Sequence, residues 1–196
     1  MSLYIGIAIV VVAILVIIGI VVAVVGSRRR RSRQLQQSFG PEYDRTVAAT
    51  GNTGAAEREL EARRERRRGF DVRPLGAVER QRYTNEWTVI QQRFVDAPRQ
   101  AVGEADRLVS AVMADRGYPM HDFERTADDV SVDHPHEVTD YRAAHGVAEA
   151  GERASTEDLR VAMQRYRHLF DSLLGDDGAA GTTGATTAGA PTGGDR

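Results

Sequence analysis

Residues 83–94 read YTNEWTVIQQRF. Tyr83, Trp87, Ile90 and Phe94 stand at i, i+4, i+7 and i+11, one continuous stripe along an α-helix. The single tryptophan lies on this stripe, where packing in a core explains it better than ligand binding. The same period continues downstream. Asp96 is expected to cap the next helix, with Pro98 in its first turn. Val102, Ala105, Val109 and Val112 then repeat at threes and fours, a pattern suited to helix packing and compatible with a coiled coil. Gly117 is placed to end that helix, and Pro119 blocks its continuation.

Working outward, residues 122–130 suit a short helical turn. Pro135 opens a further helix with Val138, Tyr141, the stem of Arg142, His145 and Ala148 on its buried side. Ser155-Thr156-Glu157-Asp158 has the spacing of an N-terminal cap. Behind it Leu159, Met163, Tyr166, Phe170 and Leu173 form a stripe widened by Ala162, Leu169 and Leu174. Four substantial helices, short loops and no convincing strand predict an all-α bundle over residues 70–174. Residues 175–196, rich in Gly, Thr and Ala, have nothing to bury and are expected to be disordered.

Toward the N-terminus the composition changes. Leu3 to Val25 carries no charge and no proline. As a helix it would rise about 34 Å at 1.5 Å per residue, enough to span a hydrocarbon core of ~30 Å. The expectation is a transmembrane anchor over residues 1–27. A cleaved signal peptide fits less well, because no side-chain charge precedes the run and Arg28, Arg29, Arg30, Arg31 and Arg33 follow it. That cluster predicts a single-pass protein of the plasma membrane, N-terminus outside and C-terminus cytoplasmic. Gly19, Ala23 and Ser27 stand four apart, a spacing that permits close helix approach.

Residues 28–69 read as a basic linker and spacer. Gln34 to Ser38 is a polar stretch, Pro41 starts a short helix, and residues 50–54 break it. Ala55 to Arg68 forms a charged helix with Leu60 as its only large aliphatic residue. Glu59 with Arg63, Glu61 with Arg64, and Glu65 with Arg68 have ion-pair spacing, which favours a solvated spacer.

The 196-residue chain has 28 acidic residues, a net charge of −2 and no cysteine. Its 26 basic residues are all arginine. Disulfides, thiolate metal sites and cysteine nucleophiles are excluded, as is the lysine of a phosphate-binding loop. Residues 28–69 hold twelve Arg against six acids, and residues 70–196 fourteen Arg against twenty-two. The first charge excess allows contact with anionic lipid. Nucleic-acid binding is not expected, since no aromatic residue interleaves the arginines. No serine occupies a nucleophile-elbow context.

The sharpest chemical candidate is Asp133-His134-Pro135-His136-Glu137, with Asp140 and His145 nearby. His136 to Asp140 departs from the zinc-protease signature because Asp140 stands where a second histidine is required. An Asp can ligate zinc, but no third ligand is identifiable. The plainer reading has His134 and Pro135 at a helix cap and His145 partly buried. No catalytic, cofactor-binding or metal residue is therefore assigned, and no cofactor is expected.

The stretches FGPEYDRTV (39–47), ADRLV (105–109), RGYP (116–119), SVDHP (131–135), YRAAH (141–145) and STEDLR (155–160) resemble a family of mainly actinobacterial single-pass membrane proteins with no known activity. The resemblance implies one anchor, a charged helix and a helical domain. Members are often labelled secreted, and in the family the position of His136 is usually not histidine. The expected role is a non-enzymatic, membrane-anchored interaction module. Its acidic bundle would dock a protein partner, with the lipid bilayer as its other contact. A lipid-responsive module using the Arg-rich segments is the alternative.

Overall fold

The computed structural model describes residues 2–175, with the side chains of residues 1–17, 21, 24 and 28 outside the description. All regular structure among the described residues is helical: α1 (Ser2–Phe39), α2 (Pro41–Thr50), α3 (Thr53–Arg68), α4 (Ala77–Arg93), α5 (Pro98–Asp115), α6 (Phe123–Val130), α7 (Glu137–Ala150) and α8 (Thr156–Gly175). A 3-10 turn, Gly151–Arg153, precedes α8. The all-α expectation holds. The tail expected to be disordered lies, from residue 176 on, outside the described residues.

No helix among the described residues is long and apolar enough to cross a membrane. This corrects the expected transmembrane anchor, and with it the single-pass topology and plasma-membrane location. The side chains of residues 3–17, on which most of that expectation rested, lie outside the described residues. Helix α1 also does not stop where its apolar run stops. It continues through Arg29, Arg30, Arg31 and Arg33 to bury Leu35 and Phe39, each 1% exposed. The expected polar spacer at 34–38 is thus a helical segment with an inward face.

The chain divides into two units, the first made of residues 1–69 and 123–139, the second of 70–122 and 140–196. The bundle expected over 70–174 is therefore interrupted, because residues 123–139 join the N-terminal unit.

In the first unit, Leu35, Phe39, Tyr43 and Leu60 form the core, with Val47 and Val132 against it. Pro41 begins α2 as expected, behind Gly40 at φ 45°. Asn52 caps α3, its side chain accepting from the Ala55 amide at 2.9 Å. Ala56 and Leu60 are fully buried and Arg63 is 4% exposed. The solvated-spacer expectation for this helix is therefore wrong. One apolar residue per two turns suffices when the small side chain of Ala56 lets a neighbouring helix come close.

In the second unit α5 packs between α4 and α8. Val102, Ala105, Val109 and Val112 are all fully buried. Trp87, also fully buried, stacks on Phe170 with ring centroids 4.8 Å apart and planes at 26°. The α8 stripe, from Leu159 through Tyr166 and Phe170 to Leu174, is buried throughout. Its cap forms as read: the Asp158 amide donates to Ser155 Oγ at 3.1 Å, and the Ser155 amide donates to Asp158 Oδ2 at 2.9 Å. Asp96 does not cap α5. Ala97 occupies the N-cap without a side-chain bond, and Pro98 stands in the first turn. Gly117 ends α5 at φ 94°, and a Cβ there would lie 2.3 Å from the Asp71 carbonyl oxygen. That backbone approach admits only glycine.

Candidate functional site

Three features carry the polar chemistry of the described residues. The first is an ion-pair network in the first unit. Glu42, fully buried on α2, accepts from Arg63 of α3 at 2.8 Å and from Arg45 at 3.3 Å. Arg63 also reaches Asp128 at 2.9 Å and Glu59 at 3.4 Å. Arg66 pairs with the buried Asp129 at 3.1 Å, and Arg67 pairs with Asp133. The arginines of α3 are thus matched to the acids of 123–139, a segment with five acids and one Arg. The expected contrast between a basic linker and an acidic bundle is folded into this one unit. What remains in the described second unit is fourteen acids against twelve Arg, close to neutral. Arg63, Arg66 and Arg67 are engaged with protein carboxylates, and this weakens the case for the C-terminal end of α3 as a lipid contact.

The second feature is a set of tyrosines in the second unit. Tyr166 donates to Asp106 Oδ1 at 2.9 Å, and His145 Nδ1 lies 3.3 Å from the same oxygen. The Tyr141 ring meets the Tyr166 ring edge-on at 6.0 Å. Burial pushes the Tyr141 phenol up to about 12, against an opposing hydrogen bond with Ser110. Burial and the Asp106 charge hold the Tyr166 phenol well above the tyrosine range. Tyr83 is raised by burial and by its 2.5 Å bond to Asp115. At neutral pH all three are protonated phenols rather than bases, and Tyr83 and Tyr166 donate to carboxylates.

The folded state thus retains protons that the unfolded chain releases near pH ~10. Their contribution to stability should be complete below that pH and be lost as pH rises through about 12. Phenolate absorbance and circular dichroism, followed together, should show these tyrosines ionising only as helix is lost. Ionisation near the ordinary tyrosine value with helix intact would contradict their burial.

The third feature is a pair of hollows flanking α4. Between α4 and α5 lies an open groove of about 530 Å³, with Val89, Ile90, Leu108 and Ala111 along it and Glu86, Glu104 and Arg107 at its rim. Hydrogen bonds from Arg93 and Gln100 hold the Glu104 carboxyl below the usual carboxylate range, so it is anionic at neutral pH. Val89 is 51% exposed. The other hollow, of about 410 Å³, lies between α4 and α8.

The histidine region disperses. His134 is buried, and its carbonyl accepts the Val138 amide at 3.0 Å, so the cap reading fits its place. His136 is exposed and lies close to Gly40, where an added Cβ would be 2.8 Å from the ring. Asp140 accepts a contact from His168 at 2.9 Å, and His145 faces Asp106. No group of three or more metal-ligating side chains occurs among the described residues.

Arg116 escaped the sequence reading. Only 5% exposed, it donates to the Leu173 carbonyl at 2.8 Å and so satisfies the end of α8. Its position before Gly117 marks a helix end but not the distant carbonyl it satisfies.

Comparison with known protein families, curated proteins and solved structures finds no match to this chain.

Proposed function

We propose that the second unit is a non-enzymatic docking module whose α4–α5 groove receives an amphipathic helix from a protein partner. The apolar floor of this groove supports the reading. Val89, 51% exposed beside Ile90, Leu108 and Ala111, offers apolar surface of the kind that anchors a partner's apolar stripe. The rim carries both signs of charge, which sets the register of a bound helix more than its affinity. The docking role does not require a membrane anchor.

A photo-reactive residue placed at Val89 in cells should capture one discrete partner, while the same residue at the exposed Arg153 should not. Val89→Glu, read out with the photo-reactive residue at Asn85 on the same groove, should abolish that capture. It should shift stability by less than about 0.5 kcal/mol, as expected for a surface site. Capture that persists in Val89→Glu, or no discrete adduct at all, would remove the groove from consideration.

A further inference from the structure

The hollow between α4 and α8 differs in kind from the docking groove. Phe94 and Met163 form its apolar wall with the fully buried Trp87 beneath, and Arg160, Arg167 and His168 are its basic residues. No acidic side chain lines it. We propose that this hollow binds a small flat apolar molecule carrying one carboxylate.

The two arginines are positioned but not exhausted. Arg160 gives Nε and Nη2 to Glu157 at 2.8 and 2.6 Å, and its Nη1 bonds no group among the described residues. Arg167 gives Nε to Asp171 at 2.6 Å, and its two terminal nitrogens bond no group among the described residues. Its guanidinium carbon sits 5.4 Å from the centre of the Trp87 ring and 5.7 Å from that of Phe170. This contact, with the Asp171 bond, restrains the guanidinium, so less freedom is lost when its terminal N–H groups grip a carboxylate. Glu157 and Asp171 are partners within α8 and lie outside the lining. A ligand carboxylate therefore meets cations first. Gln91 and Gln164 add neutral donors at the edge. The volume falls within the ordinary range for small-ligand sites, and the mixture of apolar wall and a few convergent polar groups is what such sites have. A neutral apolar ligand would leave the guanidinium donors unused. A cation would find no carboxylate in the lining to receive it.

The chain's only tryptophan reports on this hollow directly. Titrating the full chain with 2-naphthoate should give saturable calorimetric binding and a parallel change in Trp87 emission. 2-Naphthylmethanol should bind at least tenfold more weakly, since a charge-assisted hydrogen bond contributes about that factor. Arg160→Gln and Arg167→Gln should each weaken naphthoate binding about tenfold. Arg160→Gln removes only a surface pair with Glu157, so it should keep the helical spectrum. Val89→Glu, in the separate α4–α5 groove, should leave naphthoate affinity unchanged, which keeps this site's test apart from that of the docking reading. Equal affinity for acid and alcohol would overturn the proposal. So would retention of affinity in both arginine variants, loss of it in Val89→Glu, or no saturable binding up to about millimolar naphthoate, where even a weak specific site would fill.

Discussion

Trp87→Ala should lower the unfolding free energy by about 3–5 kcal/mol, the cost of emptying a large aromatic site in a packed core. Trp87 is fully buried, stacked on Phe170 and covered on one side by Arg167. Alanine would leave a void that α8 could close only by moving toward α4 and off its packing on α5. Trp87→Phe should cost far less, and the reason is specific. The buried indole N–H of Trp87 has no hydrogen-bond acceptor among the described residues. Phenylalanine gives up ring area but removes that unsatisfied donor, worth about 1–3 kcal/mol in the opposite direction. Urea unfolding followed by circular dichroism separates the two variants. A cost below about 0.5 kcal/mol for Trp87→Ala would place the ring at the surface. A phenylalanine variant as damaged as the alanine one would mean that the N–H does find a partner.

The helical periodicity of the second unit was legible because each helix there buries an apolar stripe against another. Trp87, Val109, Tyr166 and Phe170 could be placed inward from spacing alone. Caps made by local bonds, such as Ser155 with Asp158, were legible for the same reason. Features set by distant partners were not. Nothing near Arg116 announces that its guanidinium will satisfy Leu173, 57 positions away. Nor does anything near Asp129 announce Arg66, 63 positions away. The anchor expectation treated residues 1–27 and the arginines after them as separate elements. The helix runs through both and finds its core contacts at Leu35 and Phe39. The α4–α5 groove was illegible for a related reason. Val89 lies off the apolar stripe of α4, so a stripe reading passes over it.

The α3 arginines show most directly how a local reading can miss a buried site. Glu59 and Arg63 have the spacing of a surface pair, and that pair forms at 3.4 Å. Yet the Arg63 side chain is only 5% exposed and bonds Glu42, whose side chain is fully buried, at 2.8 Å, with Asp128 at 2.9 Å. Replacing one partner of a buried pair leaves the other charge in a site that no longer solvates it, at about 3–5 kcal/mol. Arg63→Met keeps the length and apolar stem of the side chain but removes its charge, so that penalty should dominate. Arg45 lies 3.3 Å from the same Glu42 oxygen and is 38% exposed. Its remaining contact should hold the loss toward the lower end of the range. Adding Glu42→Gln to Arg63→Met removes the stranded charge, and the double variant should recover at least about 1 kcal/mol relative to Arg63→Met alone. Chemical denaturation of the two single variants and the double variant measures this coupling. If Arg63→Met costs under about 0.5 kcal/mol and the coupling vanishes, α3 is the solvated spacer its spacing first suggested, and its arginines are available to other partners.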